Sequence, residues 1–308
     1  MPEIKFGSGC LLEILPLFKE DNRFLFVACT IKESIFGGLP TITINAKTSK
    51  DLIDVSEEIT GSLTNADAVK TTFEGYVYAV STALDKCTIK IMCVRPDFIK
   101  KERVNKFNSM NEAIKGLYQG KIISNTESDL MNDMLIFQKD ISNYNLIKKC
   151  LAGYKKNTIY GFSIGGLRIN DLSNWKPKKT VVARLNIQPV DATKLTDPKL
   201  YHKDTEFIDY SDGKDSDHKI VKFYDQHVPV NSEYEDFVAN IQYNSRFMTM
   251  KNITNYKTRE LFDLDITDAV EVEDDQKRTK KCFVSSRIIN FDYNKMQVDY
   301  TIQSIDPI

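Results

Sequence analysis

The sequence predicts an α+β fold that is mainly β: two small β-barrels flanking or enclosing an α/β middle region. Three observations carry this. Residues 1–98 and 176–308 are dominated by short runs of β-branched and aromatic residues with period-two alternation. Between them, the apolar period changes to that of helices. The stretch from Ser142 to Leu172, SNYNLIKKCLAGYKKNTIYGFSIGGLRINDL, then reads as a short amphipathic helix, a Gly stop, a strand, a two-glycine turn and a return strand.

The expected divisions are a first barrel over 1–98, a middle region over 99–175, and a second barrel over 176–308. In the first, strands are expected at Phe24–Ile31, Pro40–Ile44, Phe73–Val80 and Thr88–Val94. Breaks are expected at Gly37-Gly38, over the Gly61–Asp67 stretch, and at a hairpin turn over Leu84–Lys86. About five strands with short links suit a closed barrel, because closure removes exposed edges. A sandwich is the alternative.

In the middle region, Ser109 and Glu112 have capping-box spacing, and Met110, Ala113, Ile114 and Leu117 share one helical face up to a stop at Gly120. A second helix is expected over Glu127–Phe137, with Leu130, Met131, Met134 and Leu135 on its apolar side. A third follows Ser142, uses Leu146, Ile147, Cys150 and Leu151, and stops near Gly153. Tyr160, Phe162 and Ile164 alternate into Gly165-Gly166, a pair suited to a tight hairpin, and Leu167 and Ile169 return.

Trp175-Lys-Pro-Lys-Lys reads as a linker, and Val181–Ile187 as the strand that opens the last region. Residues 191–242 read as a polar, irregular excursion with an acidic DYSDGKDSD loop. Strands are expected again at Ile266–Val272, Cys282–Phe291 and Met296–Ser304, with Asp274–Lys281 as a charged hairpin tip.

Composition narrows the function classes. The chain has 308 residues, 42% hydrophobic and 28% charged, and a formal net charge of −1, so no global field attracts nucleic acid. No apolar run is long enough for a transmembrane helix, and Glu13 and Lys19 interrupt the N-terminal apolar stretch, so neither membrane insertion nor a cleaved signal is expected. The charge is uneven: residues 99–156 hold eleven Lys and Arg against six Asp and Glu, and residues 191–275 hold ten against twenty. Opposite-sign segments suit self-complementary assembly, and equally suit solvated faces.

No residue is assigned a catalytic, cofactor-binding or metal role. Cys10, Cys29, Cys87, Cys93, Cys150 and Cys282 form no CxxC pair; Cys29, Cys87, Cys93 and Cys282 lie in apparent strands and Cys150 on a helix's apolar side, as small buried hydrophobes do. The histidines are His202, His218 and His227; the latter two flank KIVKFYDQ near Asp215, Asp217 and Asp225 without zinc-motif spacing. Asp209, Asp212, Asp215 and Asp217 miss the EF-hand pattern. Gly161-Phe-Ser163-Ile-Gly165 matches G-x-S-x-G, but a nucleophile elbow needs a strand-to-helix turn, and Ser163 is expected within a hairpin strand. Gly37-Gly38 and Gly165-Gly166 lead into no phosphate-cradling helix. The basic groups 99–106, 148–156 and 277–281 lack the aromatic interleaving of single-strand binders.

The order strands, helices, GG hairpin, strands resembles the contractile-tail phage baseplate hub family, whose relatives include the amino-terminal part of VgrG and the late-control D proteins. Ala28-Cys-Thr-Ile-Lys-Glu-Ser-Ile-Phe-Gly37 is similar to that family's opening strand and turn. Phe162-Ser-Ile-Gly-Gly-Leu-Arg-Ile169 is similar to its F-x-x-x-G-x-L-x-I hairpin, and Phe283–Phe291 to its late strand pattern. The family's usual His is replaced there by Ile288 and Ile289, and residues 191–242 match no part of the pattern.

The resemblance implies a structural, non-enzymatic homotrimer without cofactors. Its two barrels per copy would form a pseudo-six-fold ring between a six-fold tail tube protein and a three-fold spike. It implies contacts with other baseplate or tape-measure proteins, a place in the virion's tail baseplate, and assembly in the bacterial host cytoplasm. Because the sequence ends at Ile308 without a needle or lysozyme extension, the resemblance makes the spike a separate polypeptide. The same fold would serve a bacterial contractile injection system. Readings from other classes are a small hydrolase using Ser163 or the His218/His227 group, and a nucleic-acid-binding module using the basic middle region.

Overall fold

The computed structural model describes residues 3–5, 11–15, 25–35, 38–47, 55–99, 105–128, 130, 134–136, 142–183, 205–209, 219–223, 226–230, 234–249, 252–292 and 295–305. It is mainly β, and among the described residues the α-helices fall in the middle and last regions.

The first region contains β1 (Glu3–Lys5), β2 (Leu11–Leu15), β3 (Leu25–Ile35), β4 (Thr41–Lys47), β5 (Glu58–Thr64), β6 (Lys70–Ala83) and β7 (Lys86–Met92). They hydrogen-bond in the order β1-β2-β5-β6-β7-β4-β3, antiparallel throughout. Alternate residues point inward: Ile42, Ile44 and Ala46 from β4, and Cys87, Ile89 and Ile91 from β7, are buried together.

The stretch expected as a break over Gly61–Asp67 is instead entered by β5. A Cβ at Gly61 would lie 2.3 Å from Phe73 Cζ and 2.5 Å from the Glu13 carbonyl oxygen, so this glycine admits a cross-strand ring rather than making a turn. Cys93, expected in a strand, lies just beyond β7, with its N–H donating to Pro40 O.

The middle region comprises β8 (Asn105–Phe107), α1 (Met110–Leu117), β9 (Ile122–Ser124), β10 (Met134–Ile136), α2 (Asn143–Ala152), β11 (Thr158–Ser163) and β12 (Gly166–Asp171). Ser109 caps α1 by accepting the Glu112 N–H, while Glu112 returns a carboxylate to the Asn108 N–H, one residue upstream of the ideal box. The helix ends at Tyr118, not Gly120: Tyr118 turns extended so that its ring meets Phe98 and Phe162.

None of the described residues within the helix expected over Glu127–Phe137 is helical; residues 129, 131–133 and 137 lie outside the described residues. Ser128 donates to Tyr154 O and accepts the Leu130 N–H, and Leu130 O accepts the Met110 N–H, so Ser128 and Leu130 are tied to the start of α1 and to Tyr154 just beyond α2. Met134–Ile136 then pairs with β8. The apolar residues mimicked a helical stripe because Leu130 serves the core while Met134 and Leu135 belong to a strand; Met131 lies outside the described residues. The third expected helix is α2, capped by Ser142 and Gly153, with Leu146, Ile147, Cys150 and Leu151 buried.

The last region holds β13 (Lys179–Val182), β14 (Thr205–Asp209), β15 (Lys219–Phe223), β16 (Gln226–Val230), α3 (Tyr234–Thr249), β17 (Asn252–Thr258), β18 (Ala269–Glu273), β19 (Thr279–Asp292) and β20 (Lys295–Ser304). The stretch 191–242, expected to be irregular, includes the meander β14–β16, which extends a second sheet in the order β14-β15-β16-β10-β8. It also includes the first half of α3, whose Phe237, Ile241, Asn244 and Phe247 are buried. The strand expected over Val181–Ile187 is Lys179–Val182, with 184–187 outside the described residues. Ile266–Asp268, expected as strand, forms a turn before β18, with Thr267 at φ 70°.

One pairing joins the ends of the chain. β19 runs antiparallel to β3 from Ser286↔Ser34 to Asp292↔Ala28, and β11 pairs with β3 at Ser34 and Ile35. β3 is therefore the strand on which first, middle and last regions meet.

Candidate functional site: the hairpin junction

At this meeting point two charged residues occupy core positions. Glu33 lies between inward-facing Ile31 and Ile35 on β3, and Arg287 precedes inward-facing Ile289 and Phe291 on β19. The Glu33 side chain is 0% exposed and that of Arg287 7%. Arg287 Nε donates to Glu33 Oε2 at 2.6 Å, and Glu33 Oε1 accepts the Ile164 N–H at 2.8 Å, at the tip of the β11–β12 hairpin.

The network continues outward. Arg287 Nη1 donates to Leu264 O at 2.6 Å and Nη2 lies 3.2 Å from Asp265 Oδ1. Asp265 Oδ2 is 3.2 Å from Arg168 Nη1 on β12, Arg168 Nη2 reaches Asp268 at 2.5 Å, and Lys178 Nζ lies 3.1 Å from Asp268 and Asp263. Burial pushes the Glu33 carboxyl up, against the pull of the Arg287 guanidinium. Burial opposes the charge on Arg287, but Asp265 and Glu33 outweigh it and hold the guanidinium protonated. Such a network fixes geometry more than it adds stability: removing one member strands a buried charge.

Gly166 sets the hairpin. Its φ is +128°, and a Cβ would lie 2.1 Å from Lys121 O, which accepts the Leu167 N–H where β9 pairs with β12. Of the two glycines expected to make the turn, only Gly166 has positive φ, and it opens β12; the turn residues are Ile164 and Gly165. Trp175, read as linker, packs onto the last region, its indole N–H donating to Cys282 O at 2.9 Å.

Ser163 ends β11, buried, its hydroxyl donating to Gly166 O at 3.3 Å inside the hairpin. His227 lies in β16 opposite Lys222; His202, His218, Asp212, Asp215, Asp217 and Asp225 lie outside the described residues. Cys29, Cys87, Cys93, Cys150 and Cys282 are buried, and burial raises the Cys150 pKa to about 12, which leaves it neutral rather than nucleophilic. Among the described residues, no group of three His, Cys, Asp or Glu is placed to hold a metal, and no helix is long and apolar enough to cross a membrane.

Members of the basic groups 148–156 and 277–281 make internal contacts, while residues 100–104 of the group 99–106 lie outside the described residues. Lys148 and Lys156 sit over the Tyr144 and Tyr243 rings, Lys281 over Trp175, and Arg278 Nε reaches Asp274 at 2.6 Å. Sequence reasoning missed the Glu33–Arg287 network. Its signal was legible: opposite charges at core-parity positions of two strands, where an unpaired charge would be prohibitively costly.

Neither a family model nor a curated protein sequence matches this chain. Solved structures do. The 43 kDa tail protein of prophage MuSo2 from Shewanella oneidensis matches at TM-score 0.55 and 13% identity, over 92% of this chain and 93% of that one. This chain shares its fold with phage tail proteins. A tail protein from Neisseria meningitidis MC58 matches at TM-score 0.51 and 11% identity, over 92% and 96%. The E. coli c3393 protein, described as a type VI secretion component similar to T4 tail proteins gp27 and gp5, matches at TM-score 0.53 and 10% identity, over 95% and 76%. The resemblance read from the GG hairpin and its flanking strands is met at the level of the fold.

Proposed function

We propose that this chain is a structural, non-enzymatic component of a contractile phage tail, the hub of its baseplate. The observation that carries the reading is the shared fold with tail proteins over more than nine-tenths of both chains. The β3–β19 pairing supports it, because it ties the first and last β regions into one continuous sheet beside the hairpin.

In this reading residues 1–98 and 176–308 supply two barrel-like units per copy, and 99–175 holds them together. Three copies close into a ring through heterologous interfaces. Six similar units then face the tail tube protein above, and three-fold symmetry faces the spike below, with other baseplate or tape-measure proteins around it. The protein resides in the virion tail after assembly in the host cytoplasm. Asp263, Asp265 and Asp268 of the acidic segment are spent on Arg168, Lys178 and Arg287 within the protomer. Charge matching between copies would therefore fall to the remaining acids. Residues 191–242 would lie on the outside of the ring or against the next baseplate layer.

Electron-microscopic averages down the ring axis test this. Six similar lobes repeating in threes are expected, and a single-copy particle with no ring would contradict the reading. The match to the E. coli secretion component favours a second reading, a hub of a bacterial injection system; neighbouring genes for a complete phage or for a secretion apparatus would decide between them.

A further inference from the structure

Four lysines scattered through the sequence come together on one face of the first sheet. Lys32 on β3, Lys47 on β4, and Lys86 and Lys90 on β7 are all exposed and alternate with the buried Ile31, Ala46, Cys87 and Ile89. Lys47 and Lys86 stand directly opposite each other across the β4–β7 ladder, where like charges work against the sheet. Among the described residues none of the four lysines makes an ion pair, and neither does Asp85 beside Lys86.

The neutral side chains of this face are set as donors too. Thr88 Oγ1 donates to Asn45 Oδ1 at 2.9 Å, and Thr30 Oγ1 donates to Asn290 Oδ1 at 3.0 Å. Each amide oxygen is thereby engaged, and the Nδ2 group of each remains to donate. The rows Lys86, Thr88, Lys90 and Thr43, Asn45, Lys47 repeat a polar side chain at every second residue, at intervals of about 6.6 Å. Lys32 lies level with Thr41, so the patch extends roughly 20 Å along β4 to Lys47. A regular, donor-rich array complements an anion that itself repeats, which the carboxylates of a folded protein surface do not. No aromatic side chain occupies these rows, so unstacked bases would find no platform, whereas a duplex presents its phosphates without one. Acids return to the face only on β19 and β20, where Asp292 stands opposite Lys295 and Asp299 opposite Lys257.

We propose that the β3–β4–β7 face holds the phosphate backbone of double-stranded nucleic acid without reading its sequence, through Lys32, Lys47, Lys86 and Lys90. This contact is a property of the single chain and does not depend on the trimeric reading above.

Fluorescence anisotropy of a short labelled DNA duplex, titrated with the full chain, tests it. Four phosphate contacts give a slope of about −3.6 for log affinity against log salt, so binding should weaken roughly a hundredfold between about 50 and 200 mM salt. Lys47→Gln with Lys86→Gln should bring the slope to about −1.8 and weaken low-salt binding at least tenfold, alike for duplexes of unrelated sequence. The melting temperature of that variant should hold or rise, because the opposed charges are gone. Lys115→Gln with Lys176→Gln, an equal change of charge at exposed positions off these strands, should leave the slope as it is. No binding at low salt overturns the proposal, and so does a slope that the Lys47 and Lys86 changes leave unmoved. An equal loss in the Lys115 and Lys176 variant reduces the binding to net charge and overturns the face. Poly-glutamate bound as tightly as the duplex overturns the nucleic-acid reading in favour of an acidic protein, and binding to phosphatidylglycerol vesicles alone overturns it in favour of a membrane.

Discussion

Glu33 and Arg287 show what single residues contribute. Each sits where its strand's alternation calls for an apolar side chain, and each is satisfied by the other and by the hairpin and the 261–268 loop. Glu33→Ala would leave the guanidinium buried without its closest partner and should destabilise the fold by about 3–5 kcal/mol in urea unfolding. The paired change Glu33→Met with Arg287→Leu should cost far less, because no buried charge remains. Gly166→Ala should cost more than about 1 kcal/mol by the same measurement, since its positive φ and the Lys121 carbonyl both oppose a Cβ. The inward charges were readable from strand parity. Which of the two hairpin glycines needed positive φ was not, because that depends on β9, a three-residue strand too short to announce itself.

Among elements, those with local signals were legible. Ser109 and Ser142 mark helix starts, and the apolar faces of α1 and α2 follow from spacing alone. Ser109→Ala should lower stability by about 1 kcal/mol in thermal unfolding. Elements defined by distant partners were not legible: β5 runs through Gly61 because Phe73 needs the space, and Met134–Ile136 is strand because β8 lies beside it.

The β18–β19 turn adds a pH-dependent contribution. Burial of Asp274 works against its charge, but the N–H groups of Arg278 and Gln276 and the Arg278 guanidinium outweigh it and hold the carboxyl below its usual range. Stability from a lowered carboxyl pKa is present above the unfolded value and lost as pH falls through the folded one. Wild type should exceed Asp274→Asn in unfolding free energy at neutral pH, and the gap should close as pH drops below the ordinary carboxylate range. A gap independent of pH would contradict this account of the turn.

At the scale of the molecule, the mainly-β architecture around a small helical region was legible from the change of period. The joining of chain ends through β3 and β19 was not, because every pair in that ladder is separated by more than 250 positions. The basic and acidic segments suggested contacts between copies, whereas several of those charges are matched within one protomer by Arg168, Lys178 and Arg287. The central claim is that one chain supplies a third of a ring. Light scattering after size exclusion, across a range of concentrations and with and without the cognate tail tube protein, tests it most directly. The account predicts a particle of three 35.3 kDa chains. A strict monomer under both conditions would contradict it.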